Sequence, residues 1–309
     1  MYSKKISLFF LLLLSILLSC QPAKESSRED QKLRVIATIF PIYDFARNIG
    51  GDKTKVTMLL PPAADAHHYE LKPEDIVRVS KTEIFLFTNF EMEQWAYKII
   101  NAAAENTNIL AVESGNGAVL LPLDEEEKEN HVSKFDPHIW LDFDNAQKMV
   151  DNIATAFIKK DQRHSDYYLK NAHDYKLKLI ALDKKYRKEL TKCSTRVVLH
   201  AGHRAFGYLA QKYNLKYIAA YNVSADAEPS PQKILTLIGQ VKAMKIPYIY
   251  YEGLIVPNLA QMIAQETGAG LLKLNNGHNI TSEDIKKGKS FISLMEDNLI
   301  NLKKGMQCR

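Results

Sequence analysis

Histidine is the residue type whose placement in this sequence best indicates chemistry. Six of the nine histidines stand in short segments that directly follow an apolar run or open a helical pattern: His67, His68, His138, His200, His203 and His278. Imidazole nitrogen is a preferred ligand of Zn²⁺ and related transition metals. Neither an HExxH motif nor a CxxC pair is present, so any metal site must be assembled by the fold rather than by a local motif.

The elements that would position these histidines alternate between strands and helices. Short β-branched or apolar runs predict strands at 33–38, 56–60, 84–88 and 109–112, and again at 196–199, 217–220, 248–251 and 271–274. Short connections with helical patterns between the strands are typical of parallel α/β sheets. Ligands of such sheets bind beyond the carboxyl ends of the strands. Two histidine-bearing loops in each half would therefore face a common cleft.

One long helix separates the two halves. Apolar residues recur at three- and four-residue steps over 165–190, with no Pro or Gly, which predicts a helix about 38 Å long. A helix over 144–159 precedes it, and the last predicted helix covers 283–304 with Thr281 or Ser282 as its cap. The predicted fold class is α/β, with two lobes of parallel sheet flanked by helices and joined by one long rigid helix. We predict an N-terminal lobe at 33–164, a linking helix at 165–192 and a C-terminal lobe at 193–309.

The N-terminus has the pattern of an export signal. Lys4 and Lys5 precede an apolar run over 6–18 that is too short for a permanent membrane span, which needs about 20 residues. The run ends in Leu17-Leu18-Ser19-Cys20, which resembles a bacterial lipobox, although a plain signal peptide followed by an accidental cysteine has the same composition. We therefore predict a signal peptide at 1–19, lipidation of Cys20, and a polar tether at 20–32.

Charge and cysteine content limit the remaining functions. The net charge of +5 is spread along the chain without basic runs interleaved with aromatics, which disfavours nucleic-acid binding. No other segment is apolar enough to span a membrane. Cys193 and Cys308 could form one disulfide in an oxidising compartment or remain as two free thiols, and the sequence does not decide between these.

Several longer motifs resemble the cluster 9, or A-I, metal-binding lipoproteins of bacterial zinc and manganese ABC transporters. The similar segments are 38–44 (TIFPIYD), 49–52 (IGGD), 59–62 (LLPP), 67–73 (HHYELKP), 136–142 (DPHIWLD), 203–210 (HRAFGYLA), 227–231 (AEPSP) and 250–252 (YYE). The resemblance covers nearly all of the chain after the tether. It implies two α/β lobes on a rigid helix and a monomeric, extracytoplasmic protein anchored by its lipid. Such a protein would capture a metal ion and deliver it to a membrane permease.

The resemblance also implies a ligand set. Carried over position by position, the ligands fall on His67, His138 and His203. The fourth position varies in the family and is often Asp or Glu, and this chain has His278 there. Neighbouring His68 and His200 fall outside the family's ligand positions.

Four imidazoles favour Zn²⁺ over Mn²⁺, which prefers oxygen ligands. Members that resemble manganese binders have a glutamate in place of His203. Zn²⁺ is therefore the predicted ion, with Mn²⁺ or Fe²⁺ as the next candidates and Ni²⁺ or Co²⁺ after them.

Two other functions are compatible with the residues. A metallohydrolase would need an open coordination position and a carboxylate base, for which Glu70, Glu228 or Glu252 could serve. A surface adhesin is a third class, although no residue pattern points to a host ligand. The acidic run at 124–131 ends in His131 and resembles a short form of the insertion in zinc-binding relatives, but a solvated loop would have the same composition.

Overall fold

Two parallel sheets of four strands carry the fold, as the sequence predicts. The computed structural model describes residues 32–309 apart from 63, 105–107, 125–132, 224–227, 254–257 and 279. The predicted signal peptide, Cys20 and His131 lie outside the described residues. The strands are β1 (Leu33–Ala37), β2 (Thr54–Met58), β3 (Ile84–Phe87), β4 (Leu110–Glu113), β5 (Val197–His200), β6 (Lys216–Ala219), β7 (Tyr248–Tyr251) and β8 (Gly270–Lys273).

The two sheets have the same strand order. The N-terminal sheet runs β2-β1-β3-β4 and the C-terminal sheet runs β6-β5-β7-β8, with every pairing parallel. All four residues of the inner strand β3 are buried, which is expected where helices cover both faces of a parallel sheet. Because every pairing is parallel, the carboxyl ends of all four strands lie at one edge of each sheet.

Helices connect the strands and cover the sheets. They are α1 (Phe40–Gly50), α2 (Pro73–Val79), α3 (Ala96–Ala104), α4 (Phe143–Lys160), α5 (Ser165–Glu189), α6 (Gly207–Lys212), α7 (Pro231–Ala243), α8 (Asn258–Thr267), α9 (Ser282–Lys286) and α10 (Phe291–Gly305). None of the helices in the described part of the chain has the length and apolarity that a membrane crossing requires.

The predicted long helix is α5, and it contacts elements from both halves of the chain. Its buried face repeats at steps of three and four residues, although Leu169, which fits the apolar spacing, is 54% exposed. The Tyr175 hydroxyl donates to the Asp44 carboxylate on α1 at 2.9 Å. The Tyr186 hydroxyl donates to the Met295 carbonyl on α10 at 2.5 Å. The helix is thereby fixed near its middle and near its C-terminal end.

A single large hydrophobic cluster extends across both halves. It joins strands β1 and β3 with Phe206, Tyr250 and Phe291 from the second half, while a smaller cluster lies within the C-terminal sheet. Residues Leu33–Arg309 accordingly form one compact unit. The division into two lobes and a linking helix stays a prediction.

The helix predicted over 283–304 is interrupted in the structure. The predicted helix over 283–304 is wrong as a single element, because α9 ends at Lys286 and α10 begins at Phe291. Gly288, with a φ of +68°, breaks the helix, and Ser290 caps α10.

The sequence left open whether Cys193 and Cys308 are free thiols or a disulfide. The structure shows them bonded as a disulfide.

Candidate metal centre

The four histidines that the sequence predicts as ligands lie in loops beyond the carboxyl ends of strands. His67 follows β2 and His138 follows β4, where it begins a short 3₁₀ turn. His203 lies three residues after the end of β5, and His278 follows β8. Because the strands of each sheet are parallel, both pairs of loops emerge at the edges where ligands of α/β sheets bind.

The four imidazole rings are almost equally spaced from one another. The six distances between ring centroids range from 5.1 to 5.9 Å. One nitrogen from each ring lies within 4.8 Å of the corresponding nitrogens of the other three. Six nearly equal separations describe a tetrahedron, which is the coordination geometry of Zn²⁺ in closed protein sites.

Two of the imidazoles are held by buried carboxylates. His138 Nδ1 is 2.8 Å from Asp136 Oδ1, which also accepts from the His138 backbone N–H. His203 Nδ1 is 2.6 Å from Glu252 Oε1, which likewise accepts from the His203 backbone N–H at 3.0 Å. Each carboxylate therefore leaves Nε2 as the nitrogen that faces the centre, and the two Nε2 atoms are 3.2 Å apart.

The backbone that carries His278 is fixed on several sides. The Asn276 side chain accepts from the His278 backbone N–H, and its amide donates to Glu252. Trp140 Nε1 donates to the Asn276 carbonyl at 2.8 Å. Gly277 has a φ of +89°, in the left-handed region that glycine adopts without strain. Among the residues that the structure describes, neither nitrogen of the His278 imidazole has a hydrogen-bond partner.

His67 is the most accessible of the four clustered histidines. It is half-buried, whereas His138, His203 and His278 are at most 6% exposed. Asp65 accepts from the backbone N–H of His67 at 2.9 Å and thereby fixes the loop. The His67 Nε2 atom is buried and has no hydrogen-bond partner in the described part of the chain. Access to the centre is therefore easiest past His67.

The environment keeps most of the imidazoles uncharged. Burial, followed by repulsion from the neighbouring imidazoles, lowers the pKa values of His67, His138 and His278 well below 6.5. Burial also opposes the charged form of His203, but the Glu252 carboxylate outweighs it and raises the pKa of His203. Burial raises the pKa of Asp136 to about 7. A neutral imidazole presents the lone pair that a metal ion needs.

These donors fit a transition-metal ion. Buried polar atoms without partners are uncommon in proteins, and three such nitrogens belong to His67 and His278. A cation at the centre of the tetrahedron would provide a partner for His67 Nε2 and for one nitrogen of His278. Four nitrogen donors match the preference of Zn²⁺ and lack the oxygen donors that Mn²⁺ favours.

Other histidines and carboxylates named from the sequence lie elsewhere. His68 is exposed and bonded to Asp65, and His164 pairs with Asp161. His173 is exposed on α5. Glu70 is exposed, and Glu228 is exposed and accepts a hydrogen bond from Tyr221.

His200 is buried behind the centre, with Nδ1 3.2 Å from the His203 carbonyl and its pKa lowered to about 4 by burial.

Asp136 and Glu252 were not predicted from the sequence as partners of the histidines. Asp136 lies two residues before His138, and Glu252 directly follows β7, which are the signals that could have indicated them.

Comparison with known proteins finds relatives that are named for zinc and for manganese. A zinc-binding lipoprotein AdcA of Streptococcus pneumoniae is 33% identical over 97% of this chain, which spans about 60% of that relative's length. A manganese ABC transporter substrate-binding lipoprotein PsaA of Streptococcus anginosus is 28% identical, over 98% of this chain and 99% of its own length. The crystal structure of the Zn(II)-bound ZnuA-like domain of pneumococcal AdcA is 30% identical with a TM-score of 0.77. That alignment covers 89% of this chain and 99% of the domain.

Residues 35–305 match the family described as ZnuA, zinc-uptake complex component A, periplasmic. That range includes both sheets and all four clustered histidines. The chain belongs to this family of metal-binding solute-binding proteins.

Proposed function

We propose that this protein captures Zn²⁺ outside the cytoplasm with His67, His138, His203 and His278 and delivers it to the permease of an ABC transporter. The tetrahedral cluster of four imidazoles, with buried nitrogens that have no hydrogen-bond partner, is the observation that carries the proposal. Relatives named as zinc-binding and as ABC transporter substrate-binding lipoproteins support the transport role.

Mn²⁺ is the second candidate ion because one relative is named for manganese transport. Manganese prefers carboxylate and water oxygens, and the tetrahedron in this chain consists of nitrogen donors only. The two nearest carboxylates, Asp136 and Glu252, are bonded to the Nδ1 atoms of ligands. This donor set favours zinc.

We further propose that the protein is a monomer tethered to the membrane through lipid on Cys20. The lipobox-like sequence and relatives named as lipoproteins support the anchor. The Cys193–Cys308 disulfide is consistent with an oxidising, extracytoplasmic location. A tether of about a dozen residues after the lipid would hold the capture site close to a permease in the same membrane.

A hydrolytic role fits the site less well. Hydrolysis needs an open coordination position for water and a base beside it. Four histidines close a tetrahedral shell, and Glu252 is engaged by the Nδ1 atom of His203. We therefore propose a binding protein without catalytic activity.

Metal binding by the mature protein tests the proposal directly. In competition titrations with a zinc indicator, the unmodified protein should bind one Zn²⁺ per chain more tightly than Mn²⁺. Replacing His67, His138 or His203 by Ala should each lower Zn²⁺ affinity by at least about tenfold, since each change removes a donor from a four-ligand shell.

His164→Ala and His173→Ala serve as matched controls, and His68→Ala tests the register of the His67-His68 pair. All three should leave the affinity within about twofold, because these side chains are exposed or pair elsewhere. Failure to bind Zn²⁺, or a steep loss on replacing His68 but not His67, would contradict the proposal. A hydrolase screen on the zinc-loaded protein should be negative.

A further inference from the structure

The four histidines differ in what holds their second nitrogen. His138 and His203 each place Nδ1 against a buried carboxylate, at 2.8 Å from Asp136 and 2.6 Å from Glu252. Among the described residues, no hydrogen-bond partner approaches either nitrogen of His278 or Nε2 of His67. Asp65 accepts a hydrogen bond from the backbone N–H of His67. The shell thus contains one supported pair and one unsupported pair.

A carboxylate on the second nitrogen has two effects on a ligating imidazole. It fixes the ring orientation and tautomer, and it makes the other nitrogen a stronger donor, typically by 10- to 100-fold in metal affinity. Asp136 and Glu252 are each at most 4% exposed, so water competes little for these hydrogen bonds. His138 and His203 should accordingly form the stronger bonds to a bound ion.

The supported pair also stands at coordination spacing. Two nitrogens bound to Zn²⁺ at 2.0–2.1 Å in a tetrahedron are about 3.3–3.4 Å apart. His138 Nε2 and His203 Nε2 are 3.2 Å apart, so an ion could bind both with almost no movement. Their rings are restrained by hydrogen bonds, whereas rotation of the His278 ring breaks none.

We infer that the site is divided into two functional pairs, an anchoring pair of His138 and His203 and an exchanging pair of His67 and His278. An arriving ion binds the anchoring pair first, and His67 and His278 then close over it. Release follows the reverse order, with the exchanging pair dissociating before the ion leaves the anchoring pair. Asp136 and Glu252 act as positioning residues that create this order. The inference rests on the proposed function and adds a sequence of ligand exchange to it.

The kinetics of Zn²⁺ binding separate the two pairs. A ligand engaged at the rate-limiting step contributes to the association rate, whereas one that engages later contributes to the dissociation rate. Stopped-flow mixing with a zinc indicator would give association, and an excess of chelator would give dissociation. His67→Ala and His278→Ala should raise the dissociation rate more than about tenfold and leave the association rate within about threefold.

His138→Ala and His203→Ala should instead lose affinity mainly through slower association. His173→Ala is the control and should change neither rate. Slower association in the His67 and His278 variants, matching that of the anchoring-pair variants, would overturn the inference. A loss of affinity in the anchoring-pair variants that comes wholly from faster dissociation would also overturn it. If the unmodified protein binds no Zn²⁺, the proposed function itself fails.

The positioning role of the carboxylates needs a measurement that a purely structural role would not change. Glu252→Gln and Asp136→Asn keep a hydrogen-bond acceptor but remove the charge. Each should lower Zn²⁺ affinity 10- to 100-fold. Most of that loss should lie in association, while the absorption bands of bound Co²⁺ remain tetrahedral and the circular dichroism spectrum is unchanged. Wild-type affinity and rates in both variants would refute the role of the carboxylates.

Discussion

At the scale of single residues, His278 is the position where we expect the preference among ions to be set, because it completes an all-nitrogen cluster. We expect His278→Asp to lower the affinity for Zn²⁺ and to raise that for Mn²⁺, since an oxygen donor suits the harder ion. His278→Ala should weaken Zn²⁺ binding without abolishing it, because three imidazoles remain.

Parallel titrations with both ions on the three proteins would measure the ratio of affinities. His173→Ala provides a control of the same residue type outside the site. An unchanged Zn²⁺ to Mn²⁺ ratio in His278→Asp would show that the fourth donor does not determine selectivity.

Protonation of His203 should dominate the pH dependence near neutrality. Metal binds the neutral imidazole, and Glu252 raises the pKa of His203 above 6.5, so protons compete at this ligand first as the pH falls. The pKa values of His67, His138 and His278 are lowered, and these ligands should lose metal only at more acidic pH. As the pH is lowered, Zn²⁺ affinity should therefore begin to fall while the pH is still above 6.5. The loss should reach up to about tenfold per pH unit.

Glu252→Gln removes the charge that raises the pKa of His203, so burial should then lower it. The fall in Zn²⁺ affinity should begin at a lower pH than in the unmodified protein, although the affinity at pH 8 is also reduced. Titrations between pH 5 and 8 on both proteins would compare the onsets. The same onset in both proteins would exclude Glu252 as the cause.

The family resemblance selected the four clustered histidines but not their carboxylate partners. A histidine in a loop after a predicted strand is a readable signal, although His200, which directly follows a predicted strand, is not in the cluster. The four positions that the resemblance selected do cluster. Asp136 and Glu252 carry no comparable pattern, because acidic residues are frequent throughout the chain. The contact of Glu252 with His203 joins residues 49 positions apart and depends on β7 lying beside β5.

At the scale of elements, the alternation of strands and helices was predictable because apolar runs and breaks have clear periods. The order of strands in each sheet was not, since no residue pattern distinguishes β2-β1-β3-β4 from another parallel order. The interruption at Gly288 was also missed. One glycine within an amphipathic pattern is compatible with a continuous helix or with a break, and only the conformation at φ +68° decides it.

The disulfide joins the end of α10 to the segment before β5, a separation of 115 residues. Cys308→Ser should lower the free energy of unfolding by about 2–4 kcal/mol, because the unfolded chain loses a long covalent loop. Urea unfolding of the variant and of the unmodified protein would measure this difference in the free energy of unfolding. Reductant should lower the stability of the unmodified protein to the same value and should not affect the variant.

Because neither cysteine contributes to the histidine cluster, Zn²⁺ affinity should be unchanged in Cys308→Ser. A large loss of affinity would mean that the disulfide also restrains the site.

At the scale of the whole molecule, the shared hydrophobic cluster connects both sheets beneath the histidines. The sequence predicted two lobes that face a cleft. It did not indicate that Phe206, Tyr250 and Phe291 pack into the same core as β1 and β3, because apolar residues reveal burial but not their partners. With three of the four histidines at most 6% exposed, the centre lies deeper than an open cleft would place it.

Attachment to the membrane belongs to this scale as well. Cys20→Ala should release the protein into the soluble fraction or block its maturation, because the lipid is the proposed anchor. Fractionation and mass determination of the N-terminus would measure both effects, with Cys308→Ser as the control that keeps Cys20. Membrane association of a Cys20→Ala protein that matures at the same residue would contradict lipidation.

The spread of the ligands along the chain, from residue 67 to residue 278, governs when the site can first exist. The ribosome adds more than 200 residues between the first donor, His67, and the last, His278. A precursor that crosses the membrane unfolded, as the proposed signal peptide implies, carries four scattered imidazoles and no tetrahedron. On this proposed route, metal in the cytosol cannot fill the site before export, and the first ion that the folded protein meets is one already outside.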